Sequence, residues 1–259
     1  LTEDQGGILS GVLNLPERPA LGLRVTGEGP IDAYEARVAL TRNGVRRLGG
    51  TVSTEAVSQT PEAPDTQDAV ARRFAARLGG DIRPFFTSEL RRFFGGRSRL
   101  ELNGWRTVGG GTVLEEMTLQ TAQLQLSGGL ELDSRGWPVR FDLDGSLGGD
   151  GLVRLPVSGP PLRLETAQIS AAYDAALGET WRATAQVVGV QQEGLLLQHA
   201  QLSGDGRIVL EGVRQVSGNM DFALSGLQHD DPALAQAIGP APEGRAQFSW
   251  RDGEPLHIS

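Results

Sequence analysis

Apolar and polar residues alternate along most of this chain, in short runs separated by glycine-containing turns. Leu100-Glu101-Leu102-Asn103, Arg140-Phe141-Asp142-Leu143-Asp144, Asn219-Met220-Asp221-Phe222-Ala223-Leu224-Ser225 and Ala246-Gln247-Phe248-Ser249-Trp250-Arg251 are four such runs. Successive side chains of a β-strand point to opposite faces, so a period of two gives each strand one dry and one wet face. The pattern predicts strands near residues 7–14, 21–27, 34–41, 46–55, 72–82, 98–104, 112–119 and 122–132. More are predicted near 138–147, 152–157, 162–173, 180–188, 194–203, 206–216, 217–226 and 244–251. Asn43-Gly44, Asn103-Gly104, Ser127-Gly128-Gly129, Gly148-Gly149-Asp150-Gly151 and Gly204-Asp205-Gly206 supply turn chemistry between them. The short spacing suits an antiparallel meander, because parallel strands would need long helical crossovers that the pattern lacks.

Two segments carry helical spacing instead. Residues 84–94 open on Pro84 and close before Gly95, with Phe86, Leu90, Phe93 and Phe94 on one stripe. Residues 231–238 repeat the device with Asp231 as cap, Pro232 in the first turn and Gly239 as stop. Helices this short are not stable alone, so each is expected to pack on the sheet. Residues 58–68 are polar and Pro-rich and read as a flexible loop. No linker marks a domain boundary, so residues 1–259 read as a single elongated β-sheet segment. About sixteen strands at roughly 4.8 Å each would form a ribbon of about 75–80 Å. Accumulated twist makes open sheets of more than about ten strands curl, so a trough around the dry face is expected, with barrel closure or a sandwich as the other exits. The expected fold class is all-β with two short helices.

Composition narrows the function. The 36 glycines fit many turns and close backbone approaches. A net charge of −8 argues against a nucleic-acid partner, which would need a basic face. Cysteine is absent, so no disulfide framework or thiolate metal site exists, and the compartment stays open. Lysine is absent too; every basic residue is Arg, which removes P-loop and Schiff-base chemistry. No run approaches the roughly 18 apolar residues that would span a bilayer. Because the pattern is already running at both ends of the chain, it reads as an internal fragment of a longer protein.

Catalytic and metal constellations are not found. His199, His229 and His257 are scattered, and His229 beside Asp230 and Asp231 reads as a solvated turn histidine. Asp142, Asp144 and Asp150 hint at a calcium loop, but the position that should hold the last acid is Val153. Gly109-Gly110-Gly111 precedes no helix and reads as a hairpin turn, not a phosphate cradle. Glu115-Glu116 reads as wet-face charge with an edge irregularity. No cofactor is expected, and enzyme activity has no support.

Several segments resemble the TamB-like proteins of the AsmA-like group. They are the lead-in Gly27-Glu28-Gly29-Pro30-Ile31-Asp32-Ala33-Tyr34 and the helix Asp231-Pro232-Ala233-Leu234-Ala235-Gln236-Ala237-Ile238-Gly239 beside a Gly-rich strand. Gly79-Gly80-Asp81-Ile82 before the Phe-rich helix, and Gly136-Trp137-Pro138-Val139-Arg140-Phe141-Asp142-Leu143, look like the alphaproteobacterial members. The resemblance implies a long curved sheet forming an open, taco-shaped hydrophobic groove, similar to the chorein-type bridge proteins. It implies a periplasmic location, with the parent protein anchored in the inner membrane of a Gram-negative bacterium. It also implies phospholipid acyl chains as cargo, a BamA-like outer-membrane barrel protein as partner through parts outside this segment, and a role in outer-membrane protein assembly.

Both lines converge on the dry-face positions as groove lining: Leu100, Leu102, Leu124, Leu126, Leu130, Leu132, Phe141, Leu143, Ile169, Val187, Leu195, Leu197, Ile208, Leu210, Met220, Phe222, Leu224 and Phe248. The competing reading makes each an ordinary core residue of a non-catalytic structural or adhesive protein with a sealed core, like an autotransporter passenger. A transmembrane barrel would need aromatic girdles, and Trp105, Trp137, Trp181, Trp250, Tyr34 and Tyr173 form no paired belts.

Overall fold

A computed structural model describes residues 1–12, 15–30, 32–57, 70–88, 90–155, 160–255 and 257–258. The expected loop at 58–68 lies outside the described residues. The chain is all-β and antiparallel, and it divides into two compact units, Leu1–Gly136 and Trp137–Ser259.

In the first unit, β1 (Thr2–Glu3), β2 (Leu21–Glu28), β3 (Ala33–Arg42), β4 (Val45–Ala56), β5 (Val70–Gly80), β6 (Ser98–Thr107), β7 (Thr112–Gln120) and β8 (Leu124–Leu132) pair in chain order. The meander follows from its turns. Asn43 (φ 50°) and Gly44 (φ 77°) both take the left-handed conformation that a two-residue hairpin demands. Gly109-Gly110-Gly111 is a hairpin turn, with the Thr107 N–H donating to the Gly111 carbonyl at 2.9 Å.

Four local expectations need correction here, and the first is Asn103-Gly104, which makes no turn but lies inside β6 (Ser98–Thr107), paired on both sides. Of the strand expected at 7–14, Ile8–Val12 is instead a helical turn, α1, tied down by the Ser10 N–H donating to Glu3 Oε1 at 2.7 Å, and residues 13–14 lie outside the described residues. Residues 84–94 are not one helix but a 3-10 turn (Arg83–Phe85) and one α turn, α2 (Arg91–Phe94), separated by Phe86 in extended conformation. The interruption lets the Phe86 ring stack on Phe94, with centroids 3.7 Å apart. Ser127-Gly128-Gly129 is not a turn but the middle of β8, where β7 bulges. Glu115 is the extra residue there: Asn103 opposes Glu116, and the next rung joins Gly104 to Leu114.

The second unit contains β9 (Pro138–Leu147), β10 (Val153–Arg154), β11 (Arg163–Leu164), β12 (Thr166–Asp174), β13 (Thr180–Gln192), β14 (Leu195–Val209), β15 (Gln215–Ser225), β16 (Gln228–His229), α3 (Pro232–Ile238), β17 (Glu243–Arg251) and β18 (His257–Ile258). Its sheet runs β9-β12-β13-β14-β15-β17-β18, with β10 and β11 extending one end of β13 and β16 pairing with the start of β14. Gly204-Asp205-Gly206 does not divide two strands; it lies inside the 15-residue β14. The reason is Trp181. A Cβ at Gly204 would stand 3.1 Å from its ring, one at Gly206 2.7 Å from its Nε1, and one at Gly218 would collide with it outright. The glycines are a floor for an indole, not a hinge.

Asp231 caps α3 through Oδ1, which accepts from the Ala233 N–H at 2.8 Å and the Leu234 N–H at 3.4 Å. Asp231→Ala is expected to cost about 1 kcal/mol, the usual worth of such a cap, read as a shifted urea midpoint with unchanged slope. None of the α3 residues is buried, and Leu234 and Ile238 are both 46% exposed, so the apolar stripe of this helix stays open instead of packing on the sheet.

Candidate functional site

Directly paired residues of antiparallel strands share a face, so the register fixes which side chains form continuous rows. In the first unit Val25, Val38, Gly50, Leu78, Leu100, Leu119 and Leu126 make one row across β2–β8. Ala36, Val52, Ala76, Leu102 and Met117 make the next, and Phe74, Gly104, Leu114 and Leu130 the one after. Leu124 and Leu132 lie on the same face by alternation along β8. Six steps of about 4.8 Å give the first row a length of about 29 Å. The opposite face reads Arg77, Glu101, Thr118 and Ser127 along one row, all exposed. The β7 bulge keeps the two faces separate, since it leaves Glu115 and Glu116 exposed and returns Leu114 to the apolar side.

Every groove residue expected in this unit is only half-buried: Leu100, Leu102, Leu124, Leu126, Leu130 and Leu132. Leu78, Met117 and Leu119 in the same rows are half-buried too. The strip ends where Arg72 and Arg106 pair across β5 and β6 on that face.

The second unit repeats the arrangement with a different ending. Its rows are Leu143-Ala171-Ala183-Gly204-Met220-Ala246, Gly145-Ile169-Ala185-Leu202-Phe222-Gly244 and Leu147-Ala167-Val187-Ala200-Leu224. Leu143, Val187, Met220, Phe222 and Leu224 are half-buried and Ile169 is 45% exposed. The row at the other end, Phe141-Tyr173-Trp181-Gly206-Gly218-Phe248, carries the aromatic residues of this unit's core. Tyr173, Trp181 and Ile208 are buried there, with Phe141, Leu210, Val216 and Phe248 against them. The Trp181 indole N–H donates to the Ser217 carbonyl at 3.1 Å, and burial pushes the Tyr173 phenol above its ordinary range, helped by the charges of Glu179 and Asp174.

Of the expected lining residues at this end Ile208 is buried in an aromatic cluster, and Phe141, Leu210 and Phe248, themselves half-buried, pack against it. Trp137, just before β9, stacks on Trp250 of β17 with centroids 5.6 Å apart, and the Arg214 guanidinium lies 5.0 Å from the Trp137 ring. β9 and β17 are five steps apart in the sheet, about 24 Å along a flat one. Their contact means that this sheet curls around its apolar face, without closing into a barrel among the described residues.

Leu195 and Leu197 fall outside these rows. Ala200, Gly204 and Ile208 are buried at even positions of β14, whereas Leu197 is buried at an odd one, so the buried parity changes there. Gly189 on β13, with φ 68°, sits where the change occurs, and Val190 pairs with Leu197 beyond it. The sequence reading missed this switch because it treated residues 194–203 as a separate strand. It also missed the aromatic cluster, for which four tryptophans on a chain with few aromatics were the available signal.

Among the described residues no group of three His, Asp or Glu side chains is placed to hold a metal ion. His229 Nδ1 accepts from the Asp231 N–H at 2.9 Å, a turn contact. No described helix is long and apolar enough to cross a membrane. On the polar face of the second unit Arg245 binds Asp221 through two contacts of 2.6 and 3.0 Å, and this hydrogen bonding holds the Asp221 carboxyl below the usual carboxylate range. A concavity of about 760 Å³ on that face is lined by Thr180, Asp205, Arg207, Ser217, Asn219, Gln247 and His257.

The chain thus belongs, by structure, to the all-β class whose sheets separate an apolar from a polar face. Comparison with protein-family models, with curated proteins and with solved structures returns no match.

Proposed function

We propose that this chain is a segment of a hydrophobic conduit that carries phospholipid acyl chains along the apolar faces of its sheets, as the resemblance to TamB-like proteins implies. On this reading the parent protein works in the periplasm, between inner and outer membrane, and supports outer-membrane protein assembly. The observation that carries the reading is the half-exposure of whole rows of leucines on a face free of interleaved charge. A sealed interior would bury them.

Energetics permit the cargo. Each acyl methylene removed from water contributes about 0.8 kcal/mol, and a row of about 29 Å exceeds the roughly 15 Å depth of one bilayer leaflet. A face built from repeated Leu, Val and Ala offers no single strong contact, so a tail can slide along it. The alternative, a structural protein with a sealed core, draws support from the Trp181 cluster and from the buried Val153, Leu164, Ala167, Leu197 and Ala200 of the same unit. Native mass spectrometry of the chain purified from a lipid-rich host is expected to show co-purified phospholipid. A lipid-free preparation that also fails to take up added fatty acid would exclude the conduit.

A further inference from the structure

The face of the first unit opposite the leucine rows carries a second, polar feature. Across β2, β3 and β4 it forms a concavity of about 810 Å³ with Arg24, Arg37 and Arg46 in its lining, together with Thr26, Thr41 and Thr51 and parts of Leu1, Leu23, Val25 and Val38, and no carboxylate. On a chain of net charge −8 this is an unusual concentration of one sign. The register explains how the three cations meet. Thr26 pairs with Arg37 and Arg37 with Thr51, while Arg24 pairs with Ala39 and Ala39 with Gly49. Arg24 is thus a diagonal neighbour of Arg37, within reach of long side chains.

Arg46 starts farther along β4 but folds back over Gly49, where an added Cβ would collide with its guanidinium. Its head therefore lies in the Arg24–Ala39–Gly49 rung. Ala39 lies between Arg24 and the Arg46 guanidinium, which covers Gly49. The three guanidinium groups have no ion-pair or hydrogen-bond partner among the described residues. Glu28 and Glu35 lie on the same face and pair with each other two rungs beyond Thr26 and Arg37, outside the lining of the concavity.

The geometry points to an anion site for a phosphate group, gripped by Arg24, Arg37 and Arg46 with the hydroxyls of Thr26 and Thr51 as further donors. Guanidinium is the group best matched to phosphate oxygens, because its planar fork offers paired donors and keeps its charge. The carboxylate-free lining disfavours cations. This site rests on the polar face alone and does not depend on the apolar rows carrying lipid.

The test titrates the full chain with inorganic phosphate and pyrophosphate by calorimetry at low salt. In parallel, vesicles of phosphatidylcholine with and without phosphatidic acid are floated with the protein. Phosphate or pyrophosphate is expected to bind, and the R24Q/R37Q/R46Q variant to weaken binding about tenfold or more, the loss expected for charge-assisted hydrogen bonds. R92Q/R97Q, which removes two exposed arginines elsewhere in the same unit, is expected to bind as the parent does. Ala39→Glu, which places an opposing charge between Arg24 and Arg46, should match the triple variant, and circular dichroism checks that both remain folded. Capture of phosphatidic acid vesicles in addition to the soluble anions assigns the phosphate to a lipid headgroup; soluble anions alone assign it to a free phosphate. No binding of any phosphate probe, or equal loss in R92Q/R97Q and the triple variant, overturns the site.

Discussion

Trp181→Ala is expected to destabilise the second unit by about 3–5 kcal/mol. The indole is 7% exposed and is enclosed by Tyr173, Ile208 and the glycine floor of β14 and β15. Truncation opens a cavity and leaves the Ser217 carbonyl without its 3.1 Å donor. Urea unfolding followed by far-ultraviolet circular dichroism measures the loss. A second substitution tells the specific packing from general damage. Gly204→Ala places its methyl 3.1 Å from both the Trp181 ring and Met220 Cε, so it is expected to cost about 1–3 kcal/mol in the parent. In the Trp181→Ala background the same methyl enters vacated space, and most of that cost should disappear. Strict additivity of the two changes would mean that the indole does not rest on this floor.

Leu102→Asp is expected to abolish most lipid uptake, with a drop of about tenfold or more, while moving the unfolding midpoint little. The two halves of that statement come from one property: Leu102 is half-buried, in the row with Ala76 and Met117. In an unsealed trough the new carboxylate keeps its water and costs the fold little, but it places a charge where a hydrocarbon tail must lie. In a sealed core the order reverses, because a desolvated carboxylate costs several kcal/mol and no guest is present to lose. Phe222→Asp makes the same comparison in the second unit, where the ring lies over Gly244. Fatty-acid uptake and a urea titration on each variant give the answer, and a large midpoint shift with unchanged uptake would refute the conduit.

The strand pattern, the antiparallel order and the assignment of most residues to faces were legible in the sequence, because alternation is a local property. Leu100, Leu102, Leu126 and Leu130 could be placed from their neighbours alone. Glycine chemistry was legible only in part. At Asn43-Gly44 the glycine serves its own backbone and makes a turn. At Gly204, Gly206 and Gly218 it serves Trp181, a residue distant in sequence, so local reading made a turn where there is none. The arginine basin stayed hidden for a similar reason. Arg24, Arg37 and Arg46 belong to three different strands, and only the register and the reach of Arg46 over Gly49 bring them together.

A surface specified by alternation alone has few positions that evolution must keep. Leu, Val, Met and Ile exchange at a half-filled site with little penalty, since no jigsaw partner opposes them. The leucine rows of the first unit are such sites, whereas Trp181 and its glycines are not. Descendants of one ancestor should therefore drift apart quickly in letters while conserving the geometry, and the indole with its bare backbone seat is where common descent would remain visible longest.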